Sequence, residues 1–185
     1  MMNQNEVCVL FIDFQERLMP AIFGGGAGLD GLMNKVCALA QGARLLELPV
    51  LVTRQYPKGL GDTVGSLAEA LGDHDYVDKT AFSCVGEGAF VQRLEAVGKK
   101  TVIVAGVESH ICVLQTVLDL LERGYVVYLA EDCCGSRDDK SHAMALGRMV
   151  TAGAVLTNTE SALFEILRDA GHPARKGISA LIKDF

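Results

Sequence analysis

Thr101-Val-Ile-Val-Ala-Gly-Val-Glu-Ser-His-Ile-Cys112-Val-Leu-Gln-Thr-Val-Leu118 joins two structural periods in one stretch. Thr101 to Ala105 form a mainly β-branched, apolar run, the pattern of a buried strand. Gly106 breaks the run, and helical spacing begins near Ser109 and continues to Arg123. Gly124 follows, at the position where left-handed geometry commonly ends a helix. Cys112 is therefore expected in the first turn of a helix that follows a strand. Unpaired backbone N–H groups and the positive end of the helix dipole gather there, so a thiol should ionise more readily. The thiolate is the nucleophile. Taken alone, a free cysteine is more often a small buried hydrophobe.

Working outward, the same alternation recurs along the chain. Val7-Cys-Val-Leu-Phe-Ile-Asp13 is a continuous apolar run that ends in an acid. The pattern predicts a helix over 29–48, halted because Pro49 disfavours helical geometry in its predecessor, then a strand over 50–54. Residues 56–65, rich in glycine and proline, read as a loop, 66–71 as a short helix and 76–78 as a short strand. A helix over 87–97 ends at Gly98; strands follow at 101–105, 125–130 and 154–157, and helices at 141–152 and 161–170. The tail after Pro173 shows little pattern and is expected to cover the body or a neighbouring subunit. Strands alternating with helices mean a parallel sheet covered on both faces. With no linker or repeat, one three-layer α/β domain over residues 1–185 is expected.

Composition narrows the function. The chain has 17 basic and 23 acidic residues, a net charge of −6, and no basic cluster, which argues against nucleic acid and anionic membranes as partners. No apolar run is long enough for a bilayer, and the polar start, Met1-Met-Asn-Gln-Asn-Glu6, is unlike a secretory leader. Six cysteines lie mostly inside apolar elements without a framework spacing, so reduced thiols in the cytoplasm are expected. Adjacent Cys133 and Cys134 read as packing residues at a strand end.

In an open parallel sheet, ligands bind beyond the carboxyl ends of the strands. Asp13 closes the first strand, Lys79 follows the third and Cys112 opens the helix after the fourth, so all three project from one edge. A cysteine nucleophile needs a base, which Asp13 can be, and a group to offset charge, which Lys79 can be. Singly, Asp13 reads as a helix cap or loop acceptor and Lys79 as a solvated charge.

Four segments carry a resemblance: Leu10-Phe-Ile-Asp13-Phe-Gln, Asp78-Lys79-Thr-Ala-Phe-Ser, Val104-Ala-Gly-Val-Glu-Ser-His-Ile-Cys112-Val and Thr157-Asn-Thr-Glu160-Ser. Over nearly its whole length the chain resembles the isochorismatase-like cysteine hydrolases. The resemblance implies an Asp13, Lys79 and Cys112 triad and a doubly wound six-stranded sheet in the order 3-2-1-4-5-6. It also implies a non-proline cis peptide at Val107–Glu108, which brings the Glu108 and Cys112 N–H groups together as an oxyanion hole. The implied reaction is hydrolysis of an amide-type C–N bond of a small molecule through a cysteine acyl-enzyme. A homo-oligomer, dimer or larger, is implied as well.

The chain departs from part of that family. Nicotinamidases bind a metal through an Asp-x-His motif and a second histidine after the second strand, whereas Thr53-Arg-Gln55-Tyr-Pro-Lys-Gly-Leu-Gly61 contains no histidine. No catalytic metal and no cofactor are therefore expected. The Gln55-Tyr-Pro-Lys-Gly loop is similar to the isochorismatase domain-containing subgroup. Phe14, Gln55, Phe82 and Ile111 are candidate pocket walls, with core packing the bland alternative for Phe14, Phe82 and Ile111. Two rival functions exist. Gly26-Ala-Gly28-Leu-Asp-Gly31 matches a dinucleotide fingerprint but is not set immediately between a strand and a helix. A non-catalytic scaffold retaining the fold is the other.

Overall fold

Strand parity builds two cores. All six residues of β1 (Val7–Ile12) are buried. Val7, Val9 and Phe11 join one apolar cluster, and Cys8, Leu10 and Ile12 join another. Successive side chains of a strand leave opposite faces, so a fully apolar strand needs cover on both. β4 (Thr101–Val107) behaves alike: Ile103, Ala105 and Val107 enter the first cluster, Val102 and Val104 the second. The computed structural model describes residues 1–23 and 28–183.

The other strands are β2 (Val50–Gln55), β3 (Tyr76–Lys79), β5 (Val126–Gly135) and β6 (Val155–Thr157). All pair in parallel, in the order β3-β2-β1-β4-β5-β6. On one face lie α1 (Gly28–Leu45), α3 (Gly65–Leu71), α7 (Thr159–Leu167) and α8 (Arg175–Lys183); on the other lie α4 (Gly88–Val97), α5 (Leu114–Glu122) and α6 (Asp139–Thr151). The expected doubly wound sheet and its strand order are the observed ones.

Several local expectations need correction. The stretch read as a loop over 56–65 contains α2 (Pro57–Leu60), because a proline at the first helical position presets the required φ. The tail after Pro173 forms α8, which packs on α1 and α7 through buried Ile178. Leu181 and Ile182 follow at helical spacing and are half-buried on the same cluster. β5 runs to Gly135 rather than stopping at Ala130. A register shift between Val104 and Gly106 lets the longer strand continue, pairing Cys134 with Gly106. Cys133 and Cys134 are thus strand residues, both buried.

Helical geometry after β4 begins not as an α-helix but as a π-helical turn, Ser109–Val113, followed by α5. The Val113 N–H donates to the Glu108 carbonyl at 3.2 Å, an i to i+5 bond. Gly106 makes room for this turn. A Cβ there would lie 2.6 Å from Ile12 Cβ and 2.9 Å from Val113 Cγ2. Gly124, at φ 78°, ends the helix in the left-handed region.

In the dinucleotide fingerprint, Gly26 and Ala27 lie outside the described residues. The context is still wrong for it: β1 ends at Ile12, and a 3-10 turn at Met19–Ala21 and the Phe23–Ser136 bridge precede α1. Among the described residues, no helix is long and apolar enough to cross a membrane.

Candidate active site

Asp13 follows β1 directly and adopts φ 59°, in the left-handed region that aspartate tolerates better than most residues. Its side chain is fully buried. Lys79, the last residue of β3, reaches across β2 and places Nζ 2.7 Å from Asp13 Oδ2, with both side chains fully shielded from water. Thr53, a polar residue inside apolar β2, donates its hydroxyl to Asp13 Oδ1 at 2.8 Å. Lys79 Nζ also donates to Gln55 Oε1 at 2.6 Å, the Phe82 carbonyl at 2.9 Å and the Ala81 carbonyl at 3.2 Å. An ammonium ringed by acceptors and facing a carboxylate satisfies the rule that buried ions survive only when paired and hydrogen-bonded.

Burial pushes the Asp13 carboxyl above its ordinary value, opposed chiefly by the Lys79 charge. Burial pulls Lys79 the other way, but Asp13 and the neighbouring thiols outweigh it and leave the ammonium raised. Lys79 Nζ approaches Asp13 Oδ2 to 2.7 Å, and Lys79, Thr53 and Cys112 all act on this carboxyl to oppose the rise that burial causes. The Cys112 thiol interacts with this same carboxyl.

Cys112 lies in the π-helical turn and is 5% exposed. The thiol does not ionise as easily as its place at a helix start led one to expect. Burial drives the thiol well above its ordinary value, and the Asp13 carboxylate adds to the rise against the weaker lowering by Lys79. A thiolate in a dry site beside a carboxylate is disfavoured twice, by desolvation and by repulsion. Both effects favour the protonated thiol over the thiolate. Cys84, fully buried, adjoins the same cluster through Thr53, at 3.7 Å, and is likewise raised, to about 11, by burial.

The Val107–Glu108 peptide is cis. The Glu108 carbonyl accepts from Ile111 at 3.0 Å and Val113 at 3.2 Å. The Glu108 carboxylate is buried and gripped by Arg137, with Nε 2.6 Å from Oε1 and Nη2 3.1 Å from Oε2.

Of the pocket candidates, Phe14 is corrected to core: it is 1% exposed and stacks tilted on Phe11, with ring centroids 6.4 Å apart. Phe82 is exposed, and Ile111 is half-buried against the second core. Gln55 is a ligand of the Lys79 ammonium rather than a free surface amide. The backbone of Gln55 is held in turn by Gln15, whose Oε1 accepts from its N–H at 2.7 Å. Sequence reading missed Gln15, Thr53 and Arg137. Thr53 alone had a signal, a hydroxyl in an apolar strand; the others act through tertiary contacts that no spacing encodes.

A cavity of about 310 Å³ lined by Tyr56, Lys58, Lys79, Thr80 and Glu87 borders this cluster. The larger cavity, about 580 Å³, lies beside Val50, Leu51 and His74, at the amino ends of the strands and away from the chemistry. Ligands in parallel sheets collect at the carboxyl ends, where the smaller cavity lies; Lys79 is on its lining, whereas Asp13 and Cys112 are not. Among the described residues, no group of three or more His, Cys, Asp or Glu could hold a metal ion.

Residues 7–161 match the model of the isochorismatase domain. The chain belongs to the isochorismatase family. Isochorismatase domain-containing protein 1 of Salmo salar is 40% identical over 173 residues, covering 92% of this chain and 59% of the salmon protein. This chain thus spans less than two thirds of that relative. Among solved structures, the MAR1 ribonuclease of Caenorhabditis elegans superposes with a TM-score of 0.90 at 34% identity, covering 98% of this chain and 92% of that one. The YcaC gene product of Escherichia coli, described as an octameric hydrolase of unknown specificity, superposes with a TM-score of 0.91 at 27% identity, covering 99% and 89%. Membership in the isochorismatase family accords with the strand order and with the segments around Asp13, Lys79 and Cys112.

Proposed function

We propose that this isochorismatase-family chain is a cysteine hydrolase that cleaves an amide-type C–N bond of a small molecule. The observation that carries the reading is the buried Asp13–Lys79 pair, 2.7 Å apart, whose carboxyl interacts with the Cys112 thiol. A protonated thiol at rest makes proton transfer part of the attack rather than a step before it. Asp13 Oδ2 takes the proton as Sγ bonds to the substrate carbonyl carbon, and the carbonyl oxygen becomes an oxyanion. The N–H groups of Glu108 and Cys112 face that oxygen and stabilise charge absent from the ground state. Asp13 then passes its proton to the departing amine as the C–N bond breaks, leaving a thioester. Water, losing a proton to Asp13, attacks the thioester; the acid leaves, and the proton returns to sulfur. Lys79 holds the carboxylate in place and keeps it charged between turnovers.

The substrate in this reading is a small molecule rather than RNA. RNA cleavage, the activity in the name of the nematode neighbour, calls for a positive surface to meet phosphates. A chain of net charge −6 without a basic cluster fits that poorly. Six free cysteines accord with a reducing compartment, and we place the reaction in the cytoplasm on that ground. The octameric Escherichia coli neighbour supports a homo-oligomer here. The scaffold alternative draws on the near-complete burial of Cys112. A screen of small amides and ureas, read by ammonia release, separates the two. Turnover that disappears in Cys112→Ala supports the hydrolase; turnover that survives the substitution refutes it.

A further inference from the structure

The turn that carries Cys112 is tied to two other elements through one hydroxyl. Ser109 Oγ is fully buried and donates to the Gly135 carbonyl at 2.9 Å. A carbonyl only accepts, so the single hydroxyl hydrogen is committed there. Ser109 Oγ also lies 2.9 Å from His142 Nδ1. With the hydroxyl hydrogen already used, Nδ1 must supply the hydrogen for this second contact. The pair of bonds therefore fixes the His142 tautomer and its ring orientation. His142 stands near the start of α6, half-buried, and Gly135 ends β5. Cys112 lies in the same π-helical turn as Ser109, less than one helical turn onward.

We propose that His142 is a positioning residue for Cys112: its Nδ1–H seats Ser109, and through Ser109 the nucleophile turn, against β5 and α6. His142 touches neither the reacting sulfur nor its base. Its effect passes through the Ser109 oxygen, whose buried lone pair would otherwise go unmatched. As a statement about catalysis the inference rests on the cysteine-hydrolase reading; as a statement about the turn it stands without turnover.

The test uses the whole chain with His142→Ala, His142→Asn and Ser109→Ala. Asparagine keeps an N–H donor near the place of Nδ1; alanine does not. Amide hydrogen exchange in residues 107–114 should quicken in His142→Ala and return towards the parent rate in His142→Asn, with the strands unaffected. On an amide found to be turned over, kcat should fall about 10-fold to 100-fold in His142→Ala, with KM nearly unchanged, because a small misplacement of a nucleophile costs rate rather than binding. Asparagine should recover most of that loss. In the Ser109→Ala background, His142→Ala should add nothing further. Unchanged exchange in the turn, failure of asparagine to rescue, or additive effects of the two substitutions would each overturn the proposal. If no amide is hydrolysed, the exchange data still decide it, while the hydrolase reading fails separately.

Discussion

Lys79 shows what one buried charge demands. Its ammonium is matched by the Asp13 carboxylate, Gln55 Oε1 and two backbone carbonyls, and each is necessary because no water reaches the group. Lys79→Met strands the Asp13 charge and should lower stability by about 3–5 kcal/mol, measured by urea unfolding near neutral pH. Asp13→Asn combined with Lys79→Met should recover a good part of that loss; no recovery would mean that the pair is not the source. Asp13→Asn alone removes the base and should reduce kcat/KM by about 10²–10⁴-fold. The pH dependence follows from the raised Asp13 carboxyl. The base works ionised, so activity falls as pH drops through its folded-state value, and that value lies above the ordinary carboxylate figure of about 4. An acid limb of kcat/KM at or below that figure would contradict the assignment. At this scale the sequence showed Asp13, Lys79 and Cys112, because each ends or follows a recognisable strand. It misjudged the thiol's ionisation, since burial and a facing carboxylate are tertiary facts. Arg137 and His142 gave no signal for the same reason.

Gly106 sets the geometry of the element that presents the nucleophile. β1, β4 and the π-helical turn converge there, and an added Cβ would meet Ile12 at 2.6 Å and Val113 at 2.9 Å. Neither neighbour can retreat easily, since Ile12 and Val113 are both fully buried. Gly106→Ala should cost about 1–3 kcal/mol of stability through overpacking, read from the urea midpoint. It should also depress turnover in the molecules that remain folded. A variant with the parent midpoint would show that the convergence is looser than described. Elements with strong periodicity were legible: β1, β4, α1 and α4 lie within a few residues of their expected ends. The π-helical turn was not, because its residues carry ordinary helical spacing and only the Val113 to Glu108 bond distinguishes it. β5 was read short because Glu131 and Asp132 look like a strand end, while the register shift beside Gly106 carries the strand past them. α8 was overlooked although Ile178, Leu181 and Ile182 mark an apolar face.

The whole molecule rests on a sheet covered twice. Phe11 in β1 is wholly buried in the first core, and Phe11→Ala should destabilise by about 3–5 kcal/mol in urea unfolding. A loss under about 1 kcal/mol would show that this core can collapse around the gap, contrary to the close packing expected of protein interiors. Fold class and strand connection were open to sequence reading because continuous apolar strands alternate with helices, a pattern few architectures accept; the strand order came from the family resemblance. The cavity beside Lys79 was not, since its walls come from segments around Tyr56 and Thr80 whose separation only the folded chain sets. In the proposed reaction Cys112 forms a bond to substrate carbon. That bond is tested most directly by acid-quenching the enzyme during turnover of a hydrolysed amide and weighing the tryptic peptide 101–123, in which Cys112 is the sole cysteine. An acyl-group mass increment is expected on that peptide, lost in Cys112→Ala together with turnover. Turnover that continues in Cys112→Ala, or an acyl group found on a different residue, would contradict the proposed reaction.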